Sequence, residues 1–104
     1  MDFSIVVTVR FYAKKRKVPP ILVNEKYSPH LVVKGDEEYL GVNFIVGPET
    51  VSFDEDTDAV VLPLYEGVDY SKLSIGEHFF IMEGAQKVGE GVVKEIFLHR
   101  KGKK

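Results

Sequence analysis

The chain has no cysteine, so neither a disulfide framework nor thiolate chemistry is open to it. An excess of positive charge is also missing: 14 lysines and arginines stand against 16 aspartates and glutamates, for a formal net charge of −2. Dedicated nucleic-acid binders are usually basic, so this balance argues mildly against that role. No apolar run approaches the length needed to cross a bilayer, and Met1-Asp2-Phe3-Ser4 has no basic n-region of a secretory signal. The expected location is therefore the cytoplasm. Helical periodicity persists nowhere beyond two turns, and there is no internal repeat or linker.

Catalytic patterns are missing as well. No Gly-x-x-x-x-Gly-Lys-Ser/Thr loop occurs, so nothing is expected to cradle a nucleotide phosphate. His30, His78 and His99 are far apart and fit no metal-ligand spacing. Ser4, Ser28, Ser52, Ser71 and Ser74 lack the glycine-flanked elbow of a serine nucleophile. Asp54-Glu55-Asp56-Thr57-Asp58 alternates carboxylates as a calcium loop does, but its sixth position is Ala59 and its twelfth Tyr65, where glycine and glutamate are required. It reads as an acidic turn. We expect no catalytic residue, no metal and no cofactor.

What the chain does have is strand signal. Its 104 residues, 44% hydrophobic and 29% charged, suit one small soluble domain. A domain of that size buries about 60–70% of the surface of its unfolded chain. Phe3 to Tyr12 alternates, with Phe3, Ile5, Val7, Val9 and Phe11 on one face and Ser4, Thr8 and Arg10 on the other. Lys14-Lys15-Arg16-Lys17 follows as a basic loop that reads as a solvated charge run. His30 to Val33 is a short strand. Tyr39 to Ile45 alternates again, with Leu40, Val42 and Phe44 inward and Gly41 and Asn43 outward. Ala59 to Glu66 is apolar and β-rich, and Pro63 places part of it at an edge or bulge. Gly67 to Ser71 is loop, with Tyr70 expected to be exposed. His78 to Met82 and Val88 to Leu98 form a hairpin about Gly84, a residue suited to positive φ. Gly89 and Gly91 inside the return strand mark a bend or a close backbone approach. About six strands with turn chemistry between them argue for an antiparallel sandwich or barrel spanning residues 1–98, followed by a basic tail, 99–104, expected to fray.

The stretch Leu73 to Val93 carries a resemblance. Its pattern Leu-x-x-Gly-x-x-Phe-x-Ile-x-Glu-Gly-x-x-x-Val-Gly-x-Gly-Val-Val resembles the last hairpin of the C-terminal β-barrel domain of elongation factor Tu. A looser likeness runs from about Val6 to Leu98. The resemblance implies a six-stranded closed antiparallel barrel, without the GTPase domain. In that family the barrel packs against neighbouring domains, receives an exchange factor and touches the backbone of aminoacyl-tRNA near this hairpin. The family loop Gly-Tyr-Arg-Pro corresponds to Lys26-Tyr27-Ser28-Pro29, and Arg-Glu-Gly-Gly-Arg to Met82-Glu83-Gly84-Ala85-Gln86. The arginines are thus replaced, and loss of phosphate-binding cations weakens the case for RNA.

Two binding roles follow as expectations. The first is a protein–protein interaction module, with another protein or a second copy as partner. The alternative is contact with an RNA backbone, aided by Lys87 and the Lys14–Lys17 run if they share a face. The partner-binding residues implied by the resemblance are Tyr27, Pro29, Met82, Glu83, Gly84, Gln86 and Lys87. Alternation also puts Val6, Tyr12, Ile45, Phe80 and Met82 outward, beside Pro63 and Tyr65, as an apolar patch that would favour a homodimer or a stable hetero-complex.

Overall fold

The structure is a computed structural model and describes residues 3–99. Six strands run β1 (Phe3–Phe11), β2 (His30–Val33), β3 (Leu40–Val46), β4 (Thr57–Pro63), β5 (His78–Glu83) and β6 (Gln86–Leu98). They close into one barrel in the order β1-β4-β3-β2-β5-β6, with every pair antiparallel. The all-β fold and the closed six-stranded barrel are as expected. The described residues contain no helix, hence none long and apolar enough to cross a membrane. The expectation of a frayed tail falls, past His99, on residues 100–104, outside the described ones.

The period of two decides what is inside. Ile5, Val7, Val9 and Phe11 of β1, Val42 and Phe44 of β3, Ala59 and Val61 of β4, and Phe79 and Ile81 of β5 all turn into one buried core. Closure demands curvature, and bulges supply it. Phe44 pairs with Val61 while Val46 pairs with Val60, which makes Ile45 an inserted residue. On β6 the inserted residues are Val88 and Lys94, since Ile81 and Met82 pair with Gly89 and Lys87, and Val6 and Val7 with Glu95 and Val93. Gly89 and Gly91 sit just past the first of these. A Cβ on Gly91 would lie 2.6 Å from the Thr8 carbonyl and 2.7 Å from the Phe79 ring, so only glycine lets the bent strand close.

Three expectations need correction. Tyr70 is buried, not exposed: its hydroxyl donates to the Gly41 carbonyl at 2.5 Å and accepts from the Leu64 and Tyr65 amides, both at 3.2 Å. The phenol thereby plugs the barrel end. Pro63 lies at no edge; it is the buried last residue of β4, opposite Val42. No donor is missed there, because the Val42 amide bonds the Pro29 carbonyl at 3.1 Å. Finally, most of the outward apolar residues are too covered to form the open patch that alternation implied, Tyr65 alone of them being about half exposed. Phe80 is half-buried beneath the Lys34 and Lys87 ammonium groups, 4.8 and 3.5 Å from its ring centre. Val6, Tyr12, Ile45 and Met82 are likewise only partly exposed. Tyr65 spreads over the bare backbone of Gly41, where a Cβ would come within 2.5 Å of its ring.

Candidate functional site

The residues singled out from the sequence gather at the end of the barrel capped by the β5–β6 turn and the long 12–29 loop. Tyr27 is bridged to Phe44, and its ring packs against Phe11 and Phe44 with centroids 5.8 and 5.4 Å away. Its hydroxyl donates to Oε2 of Glu83 at 2.5 Å. The same carboxylate oxygen takes an ion pair from Arg16, whose guanidinium also stands over the Tyr27 ring at 5.4 Å. Burial first, and then the hydrogen bond to Glu83, push the Tyr27 phenol well above its ordinary range. Pro29 is buried below it, and Met82 is half-buried opposite His30 and Lys87. Gly84 takes φ +61° at the hairpin tip, as its place in the turn requires.

The basic run does not act as one charge block. Arg16 turns inward to Glu83, while Lys14, Lys15 and Lys17 stay exposed. Gln86 donates its side-chain amide to the Lys15 carbonyl at 3.0 Å, which holds the lysine loop against the hairpin tip. The lysines and Lys87 therefore sit at the same end of the barrel.

On the outer wall, a shallow polar recess of about 240 Å³ is lined by Thr8, Arg10, Asp56, His78 and Glu90. Its carboxylates and Arg10 are already paired. Arg10 pairs with Asp56 at 2.9 Å, Thr8 donates to Asp58 at 2.7 Å, and Tyr12 donates to Glu90 at 2.7 Å. Burial and the Glu90 contact push the Tyr12 phenol up to about 12.

The opposite end of the barrel is different in kind. Between the 64–77 loop and the end of β6 lies a groove of about 420 Å³, lined chiefly by Phe3, Val68, Tyr70, Leu73, Ile96 and Leu98. Of this lining, Leu98 is 81% exposed and Val68 37%. Among the described residues, Asp69 is the one charged side chain in the lining; it accepts the Ser71 amide at 2.9 Å, which holds its carboxyl below the usual range. Sequence reasoning missed this groove. The one available signal was Ile96-Phe97-Leu98, an apolar run at the end of a return strand much longer than its hairpin partner.

Among the described residues, no group of three or more His, Asp or Glu is placed to hold a metal ion. A scan against protein-family models finds no match, and a search of the curated proteins finds none either.

Proposed function

We propose that the chain is a non-catalytic, cytoplasmic protein-interaction module, built as a barrel of the elongation factor Tu C-terminal type. The apolar groove beside the end of β6 carries this reading. A soluble monomer leaves few large apolar side chains clustered in the open, and such clusters mark interfaces. Here Val68 and Leu98 are exposed around one concavity that Phe3, Leu73 and Ile96 also line. The likeness of Leu73–Val93 to the family hairpin, inside a closed six-stranded barrel, supports the family part of the reading.

A second reading, RNA-backbone contact in translation, is favoured by one observation. The Gln86–Lys15 hydrogen bond sets Lys14, Lys15 and Lys17 beside the hairpin that carries Lys87. The net charge of −2 and the inward pairing of Arg16 weigh against it.

The test compares two sets of variants. Val68→Asp and Leu98→Asp should abolish capture of protein partners from native extract, while Lys15→Glu and Lys87→Glu should leave capture intact. Capture that is indifferent to the groove variants would count against the first reading. Salt-sensitive retention of tRNA on a filter, lost in the lysine variants, would favour the second.

A further inference from the structure

Strand β6 outruns its neighbour. On one side it pairs with β1 to its last residue, Leu98 lying opposite Phe3. On the other side β5 reaches only Val92, and residues 76–77 serve Val93 alone. Among the described residues, Lys94 to Leu98 therefore have a strand on one flank only.

Ladder geometry tells which backbone groups are left over. In an antiparallel pair, alternate residues give both their N–H and C=O to one neighbour. Val93 gives both of its groups to the β5 side, bonding Gly76 at 2.8 Å and Glu77 at 3.0 Å. Its opposite, Val7, therefore turns away from β6, and Val6 and Ser4 are the β1 residues that bond to it, opposite Glu95 and Phe97. Ile96 and Leu98 then aim their N–H and C=O groups away from β1, toward the groove their side chains line. Among the described residues nothing on the backbone bonds them from that side. A bare strand edge beside an apolar groove is a template for strand addition.

The segment that fits has apolar side chains at alternate positions and a cation close behind them. Alternation follows from the groove's apolar lining, and the cation from its charge. Asp69 lines the groove, and Glu66 and Glu77 belong to the same loop. The loop's one lysine, Lys72, is occupied by Asp36 and Glu38, each at 3.0 Å. The chain itself carries such a segment: Ile96-Phe97-Leu98-His99-Arg100-Lys101. Groove and occupant are parts of one sequence.

We propose that the groove takes the β6 end of a second copy. The two strands pair antiparallel about a two-fold axis at Phe97, with Ile96 of one copy opposite Leu98 of the other and Glu95 opposite His99. The interface is isologous and closes on itself. It joins two barrels through one continuous sheet and covers both bare edges. This rests on the reading of the groove as a docking surface and names its occupant.

Sedimentation equilibrium on the full chain, from micromolar to submillimolar concentration, tests it with Ile96→Pro and Leu98→Asp. Proline at 96 removes the groove-facing N–H and spares the ladder to β1. Leu98 is 81% exposed, so Leu98→Asp keeps the test alive if the proline variant does not fold. The native chain should dimerise, and each variant with an unchanged far-ultraviolet spectrum should self-associate about tenfold or more weakly. Amide exchange at Ile96 and Leu98 should slow as concentration rises. A strictly monomeric chain, or a dimer indifferent to both variants, would overturn the proposal. If that monomer still captures a partner lost in Leu98→Asp, self-pairing fails and the docking reading stands. If capture is also indifferent to Leu98→Asp, both fail.

Discussion

Tyr27 and Glu83 stand 56 residues apart in the chain and share a 2.5 Å hydrogen bond that ties the 12–29 loop to the β5–β6 turn. Arg16 completes the knot from the same loop. Removing only the phenol hydroxyl leaves the ion pair, so Tyr27→Phe should destabilise the fold by about 1–2 kcal/mol. Glu83→Ala strands both the hydroxyl and the guanidinium and should cost more, roughly 2–3 kcal/mol. Chemical denaturation of the two variants gives the comparison. Equal losses would mean that Arg16 contributes nothing beyond the phenol.

The Tyr70 hydroxyl serves three backbone groups at the other barrel end. Tyr70→Phe keeps the ring; the Leu64 amide and Gly41 carbonyl still hold each other at 3.0 Å, but the Tyr65 amide is orphaned, so we expect a loss of about 1–2 kcal/mol. The same variant should loosen the wall of the apolar groove, read as faster amide exchange at Leu64 and Tyr65. An unchanged denaturation midpoint would show that water replaces the hydroxyl at no cost.

Two glycines should respond for opposite reasons. No atom lies within 4 Å of a Cβ built on Gly84, so Gly84→Val meets only the resistance of a β-branched residue to φ +61°, roughly 1–2 kcal/mol. Gly91 has no such φ but no room. Gly91→Ala drives a methyl into the Thr8 carbonyl and the Phe79 ring and should cost about 3 kcal/mol or more. Comparable stability of the two variants would contradict the close approach of β6 to β1.

Alkali should unfold the protein through its phenols. The Tyr12 and Tyr27 pKa values are both raised above the ordinary 10.0 in the folded chain. A raised folded value means that their contribution is complete below about pH 10 and is lost as pH rises, because the unfolded chain ionises first. Ultraviolet difference titration of the five tyrosines should therefore show late-titrating phenols, with Tyr12 near 12. Tyr27→Phe should remove one late step and flatten the fall in stability above pH 10. Simultaneous ionisation of all five near 10 would refute the burial of Tyr27.

The strands were legible because a half-buried sheet writes its period of two into Phe3–Phe11 and Leu40–Phe44 with little interference. Side-chain roles in loops were less so. Tyr70 sits among Gly67, Asp69 and Ser71, a polar setting that reads as exposed until the barrel end it plugs is known. Arg16 looks like one of four solvated cations because its partner, Glu83, is 67 residues away. The bare edge of β6 depends on where β5 begins relative to it. That is a ladder offset, which composition and periodicity do not encode.

A barrel that meets other proteins at the groove beside the end of β6 should be captured there by a photoreactive side chain. Placed at Leu98 in one preparation and at Lys87 in another, it would be illuminated in native extract. Protein adducts are expected from position 98, the second copy among them, and none above background from position 87. Adducts confined to position 87, whether protein or RNA, would contradict it.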